Sequence, residues 1–314
     1  KGAWALHTLR EDIGAKNFQK IVKKYLKKHQ YKNVITDEFL AEVKKVVKTF
    51  DAENFKKTWL ETSGFDMVLA ESYLVKNKSV AAYIQLTKEK KDLENYKAIL
   101  ESETYFPIKQ YIFYKLANTP FEDKKELIEI GMKQNLYVRQ AIAETVTKIP
   151  VEFKSQYETF LDDASYNTKE IALINLCKNF PEDKKNYLMK TKNIIGNNDK
   201  SFRISWLSLD FLSDDDGYEK YLILQELLDF SSERYESSIR QNALEVLLKL
   251  APDDYFVIAS LFRATTHHKW QFTKFSRDKI REKLKNPEFR SRVEELAKTT
   301  DEKTAALYLK FLKE

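Results

Sequence analysis

The pairs Ile108-Lys109, Val138-Arg139, Thr168-Lys169, Phe202-Arg203 and Ile239-Arg240 each open a stretch of helical apolar periodicity. Their basic members are 30, 30, 34 and 37 residues apart. Prolines hold the same phase: Pro120 and Pro150 fall 11 residues after the basic residue of their unit, and Pro181 and Pro252 fall 12 after theirs. In the unit opened by Arg203 the run Ser213-Asp214-Asp215-Asp216-Gly217 supplies the turn instead. Acidic residues follow the prolines, as in Pro181-Glu182-Asp183 and Pro252-Asp253-Asp254. Proline at the first helical position and acids in the first turn both suit a helix N-terminus. Each unit therefore reads as helix, proline turn, helix. Two helices repeating at this length predict an α-solenoid of the HEAT type, because one helix pair cannot bury both its apolar faces alone. The basic residues fall at equivalent places in successive units, and each is expected to cap or flank its own helix rather than to build a shared binding surface.

Composition agrees with an all-α chain. Of 314 residues, 43% are hydrophobic, enough for a packed core, and 32% are charged, as extensive helical surface requires. Glycine and proline number only 6 each, too few for glycine-rich phosphate cradles or a many-turned β-sandwich. The single cysteine, Cys177, excludes an internal disulfide. No apolar run approaches the roughly 20 residues of a membrane-spanning helix. The net charge of +6 is local: residues 1–50 hold 12 Lys/Arg against 5 Asp/Glu, which leaves the other 264 residues at −1.

The basic front segment reads as helices. Phe18, Ile21, Val22, Tyr25 and Leu26 share one face of a helix that Lys16, Lys20, Lys23, Lys24, Lys27 and Lys28 decorate. Thr36 is the candidate N-cap of the next helix, with Asp37 and Glu38 in its first turn. Asp51 is the candidate cap of a short helix carrying Phe55, Trp59 and Leu60, which Ser63-Gly64 stops. A domain boundary is expected there, giving 1–66 and 67–314, with weaker helical signals over 67–104. The opening "KGAWALHTLR" has helical spacing but no capping residue before it.

Little of the chain's own inventory suggests chemistry. Of the four histidines, His267 and His268 are adjacent, so on a helix they point about 100° apart and do not readily grip one ion. No His-Glu-x-x-His occurs, and three or four ligands at workable spacing are lacking. Cys177, within "IALINLCKNF", reads as a buried small hydrophobe with no histidine near it in sequence to activate it. Paired carboxylates such as Asp162-Asp163 and the 214–216 run read as solvated caps. The lysine-rich helix could neutralise phosphates, but it lacks interleaved arginine and any reading motif, and a solvated face is the better account.

The front segment carries a specific pattern: Lys1-Gly2-Ala3, Leu9-Arg10, Ile13-Gly14, Phe18, Tyr25-Leu26, His29, Tyr31, Asn33, Thr36, Phe39, Phe55, Trp59-Leu60 and Gly64-Phe65. In order and spacing it resembles the zinc aminopeptidases of the gluzincin type, the group containing aminopeptidase N and leukotriene hydrolase. Asp66 stands where that family usually has proline. The resemblance covers residues 1–66; the repeats behind it agree with the family's helical C-terminal domain in kind. It implies the tail of a thermolysin-like catalytic domain followed by a HEAT-like solenoid.

It also implies that the zinc ligands, the general-base Glu, the substrate-amine loop and the oxyanion-stabilising Tyr precede Lys1. The parent would perform metal-assisted hydrolysis of peptides from their N-terminus. This chain would hold no catalytic residue and no zinc, would shape the cleft, and would be inactive alone. One further implication concerns "HKWQFTKF", which resembles a basic segment that meets the peptide's terminal carboxylate in leukotriene hydrolase. There Lys269 and Lys274 stand where the family has Arg, and Gln271 stands where it has Lys. Lysine holds a carboxylate as a point charge, not bidentately. The alternative for this stretch is a surface turn before the last helices. The expected state is a monomer with a peptide substrate in the parent, no nucleic acid and no membrane span. Two other readings stay open: a free-standing scaffold binding a protein or nucleic acid, and a fragment of a family member without zinc.

Overall fold

The computed structural model describes residues 1–88, 92–213 and 217–314, and every regular element among them is helical. Two compact units emerge, one of residues 1–95 with 103–108, the other of 96–102 with 109–314.

The first unit opens with α1 (Gly2–Ile13), α2 (Ala15–Lys28), α3 (Thr36–Val46) and α4 (Ala52–Lys56), the last continuing as one π-helical turn over Lys57–Glu61. α5 (Met67–Leu74) and α6 (Lys78–Lys88) follow. Ala5, Leu9, Ile13, Ile21, Leu40, Val43, Phe55 and Trp59 form one buried core, with Phe65 and Leu69 packed against it. One residue, Gly14, joins α1 to α2 at φ 82°, a conformation that side chains with a Cβ rarely adopt. Asp51 caps α4 as expected, its carboxylate accepting from Asn54 N–H at 3.0 Å. Thr36 is the first helical residue of α3 rather than its cap; Ile35 holds the cap position and donates its N–H to Glu38 at 2.9 Å. A glutamate reaching back from the first turn does the work that the sequence assigns to a threonine hydroxyl.

The unit boundary falls within α7 (Leu93–Glu101) and α8 (Phe106–Lys115). In the second unit the predicted alternation appears. α9 (Phe121–Met132) completes the first pair. α10 (Leu136–Thr145) pairs with α11 (Lys154–Glu158), which 3-10 turns flank on both sides, and α12 (Tyr166–Asn179) with α13 (Lys184–Thr191). α14 (Ser201–Phe211) pairs with α15 (Gly217–Phe230), and α16 (Ser237–Leu250) with α17 (Tyr255–Ala264). α18 (Trp270–Lys283), α19 (Pro287–Thr299) and α20 (Glu302–Leu312) end the chain. The first helices stack in series, α10 on α12, α12 on α14, α14 on α16 and α16 on α18, and α15, α17 and α19 stack in a second layer. This is an all-α helical-repeat, solenoid-like architecture.

Pro120 and Pro150 cap the helical segments that follow them, and Pro181 takes a first-turn position. Of the turn read at 213–217, residues 214–216 lie outside the described residues. Buried polar ties join successive first helices. Tyr157 Oη donates to Ala143 O at 2.8 Å, and Asn175 Nδ2 donates to Tyr157 Oη at 2.8 Å.

Candidate functional site

The repeat's basic residues sit in the first turn of their helices, where a cation meets the positive end of the helix dipole. Their placement therefore needs a partner elsewhere. Lys109 Nζ donates to Gln134 Oε1 at 2.9 Å. Arg139 donates from Nε to Asp163 at 2.6 Å and from Nη1 to Gln134 O at 2.7 Å. Arg203 grips Glu226 with two bonds of 2.7 Å, and its guanidinium lies 4.6 Å from the Trp206 ring. Lys169, half-buried, sits over the ring of Tyr166. These contacts fit structural roles: each of Lys109, Arg139 and Arg203 fastens the start of its pair's first helix to the end of the same pair.

Arg240 differs. Its residue is 5% exposed, yet it makes one hydrogen bond, from Nε to Ser231 O at 3.2 Å, and rests 5.1 Å from the Phe272 ring. Among the described residues no carboxylate lies within ion-pair distance of it. It lines an open cleft of about 340 Å³ whose walls include Tyr221, Ser232, Glu233, Phe256 and Arg263, contributed by α15, α16, α17 and the α15–α16 loop. Burial, and then the nearby Arg263 charge, hold the Arg240 pKa below the ordinary arginine value, against the pull of Glu233. Ser232 Oγ is buried and has no hydrogen-bond partner. Reading the sequence along the repeat does not reveal this cleft, although the unusual arginine at 263 is visible there.

Lys269, Gln271 and Lys274 occupy the N-cap and first turns of α18, all exposed. Lys269 pairs with Glu236 and Lys274 with Asp278. The stretch thus brings two lysines to one helix end, each with a carboxylate partner. His267 accepts the Lys269 N–H at its Nδ1 (3.0 Å) and stacks on His268, with ring centroids 4.2 Å apart. Burial depresses the pKa of His267, with the charges of His268 and Arg240 adding to it. Cys177 is buried in α12, and burial pushes its thiol up to about 11, which suits a core residue and not a nucleophile. The six lysines of α2 are exposed, and Lys28 reaches Glu42 at 2.6 Å. Asp66, the departure from the aminopeptidase pattern, caps α5 by accepting from Leu69 N–H at 2.9 Å.

Among the described residues no three His, Cys, Asp or Glu side chains are grouped so as to hold a metal ion. No helix among them is long and apolar enough to cross a membrane.

Residues 1–59 match the family model described as the peptidase family M1 domain. No curated protein and no solved structure matches the chain. The matched stretch ends at Trp59, the last residue of the buried cluster that begins at Ala5. The front of the chain is thus similar to the peptidase family M1 domain, and helical repeats follow it.

Proposed function

We propose that this chain is the C-terminal part of a zinc metallo-aminopeptidase, comprising the end of the catalytic domain and a HEAT-type domain behind it. The observation that carries the reading is the peptidase family M1 match over residues 1–59, the same residues that build one buried core. Placing the end of the catalytic domain near residue 66 is supported by Phe65 packing on that core and by Asp66 starting a new helix. In the parent, the repeats would wall the substrate cleft and limit which peptides enter. Lys269, Gln271 and Lys274 are proposed to meet the peptide's terminal carboxylate. For Lys269 this means exchanging one carboxylate for another, since Glu236 already holds its ammonium. The gain would be modest, as for any exposed pair.

The test is to read the parent's sequence upstream of Lys1 by peptide mass spectrometry, then to compare the parent with this chain on aminoacyl chromogenic substrates in zinc-containing buffer. Cleavage by the parent and none by the chain alone is expected. Release of N-terminal residues by the isolated chain would overturn the proposed division of labour. A parent that lacks the His-Glu-x-x-His pattern and cleaves nothing would overturn the aminopeptidase reading itself.

A further inference from the structure

The repeat supplies its own control for Arg240. The partner of each basic residue lies at the end of the same helix pair: Gln134 is 25 residues after Lys109, Asp163 is 24 after Arg139, and Glu226 is 23 after Arg203. The residue 23 after Arg240 is Arg263. At the offsets of 23 to 25 where three units place a carboxylate or amide oxygen, this unit has Arg263, Ala264 and Thr265, and Arg240 and Arg263 both line the cleft. Lys169 pairs with a ring instead: the residue is half-buried and its ammonium lies over Tyr166. Arg240 has no such freedom, being 5% exposed and pinned by Phe272 and Ser231 O. A buried charge with no carboxylate in contact is costly, and a planar guanidinium with unused N–H groups is suited to bidentate oxygen ligands.

We propose that this cleft is an oxyanion-binding site, in which a phosphate or carboxylate group takes the place that Glu226 fills in the preceding unit. Arg240 is the fixed donor, exposed Arg263 closes on the ligand from α17, and the unpartnered Ser232 hydroxyl donates a third bond. Glu233 on the rim leaves the cleft with one net positive charge from these three ionised groups, which favours a small anion over a polyanionic surface. The exposed rings of Tyr221 and Phe256 at the walls favour a ligand whose anionic group sits on an apolar body.

The experiment uses the whole chain, with thermal unfolding and calorimetric titration in sodium phosphate or sodium acetate against sodium chloride at equal ionic strength. Phosphate or acetate is expected to raise the Tm of the wild-type chain above its chloride value. Arg263→Glu should rebuild the internal pair seen at Arg203, raising Tm in chloride and abolishing the oxyanion response. Ser232→Ala should leave the chloride Tm in place and weaken the oxyanion about tenfold, the size of one charge-assisted hydrogen bond. A preference for phosphate marks a phosphorylated ligand, and a preference for acetate a carboxylic acid. Equal Tm values in all three salts would overturn the proposal, as would an oxyanion response in Arg263→Glu equal to that of wild type. Should Arg263→Glu not fold, Arg263→Gln removes the charge from an exposed side chain and must lose the response.

Discussion

Glu42 shows what a single residue contributes that a sequence pattern does not announce. Its side chain is 2% exposed, and one oxygen accepts from Lys28 at 2.6 Å and from Lys45 at 2.8 Å. The Lys28 bond first, then the Lys45 bond, lower its pKa from 4.5 to about 2. A carboxyl whose folded pKa lies below its unfolded one contributes stability above the unfolded value and loses it as pH falls through the folded value. The contribution is thus whole above about pH 4.5 and fades toward about pH 2. Glu42→Gln should flatten this part of the acid limb, read as urea midpoints from pH 6 down to 2; an unchanged pH slope would show that the lysines do not hold the carboxylate. Tyr157 makes a second case. Tyr157→Phe leaves the Ala143 carbonyl with the longer Asn175 bond of 3.2 Å and removes the acceptor of a 2.8 Å bond. A loss of about 1–2 kcal/mol is expected in urea unfolding, the usual cost of a buried group left short of a partner. At this scale the sequence was read well where a local rule sufficed, as for the Asp51 cap or buried Cys177. It was silent where partners come from distant turns, as at Arg240 and Arg263. Asp66 belongs with the first group: a departure from the aminopeptidase pattern that the helix start at Met67 explains locally.

At the scale of elements, the proline phase made the repeat legible because proline ends one helix and starts the next wherever it occurs. The regularity of the helix behind a proline was harder to read. The second helix after Pro150 breaks into 3-10, α and 3-10 pieces, and nothing in its apolar spacing distinguishes it from the continuous α9. Packing between pairs was likewise hidden. Gly131 in α9 lies so close to its neighbours that an added Cβ would stand 2.5 Å from Phe113 Cζ and 2.7 Å from Ile142 Cδ1. Two effects oppose each other in Gly131→Ala. Helix propensity favours alanine by about 0.5–1 kcal/mol. Overpacking against rings and branches that are themselves buried costs about 1–3 kcal/mol. Phe113 and Ile142 are 2% and 0% exposed and have little room to yield, so the substitution should destabilise. A urea midpoint at or above wild type would show that α8 and α10 move apart freely.

For the whole molecule, the sequence separates a basic front from a near-neutral remainder; in the structure Ala5 to Trp59 form a buried core within the first unit, and the second unit buries its own set of apolar side chains. The boundary expected at 66 rests on the Ser63-Gly64 helix stop and on the aminopeptidase resemblance, whereas the compact units divide near residue 95. The cores carry separate natural reporters. Trp59 is buried in the first, and Trp206 in the second, where its Nε1 donates to Leu188 O at 3.0 Å. Units with separate cores respond to distant substitutions independently. Chains keeping only Trp59 or only Trp206 should therefore report different urea transitions. Glu42→Gln at pH 5 should move the Trp59 transition and leave that of Trp206 in place, while Gly131→Ala should do the reverse. If either substitution moved both transitions together, the two compact units would unfold as a single cooperative block.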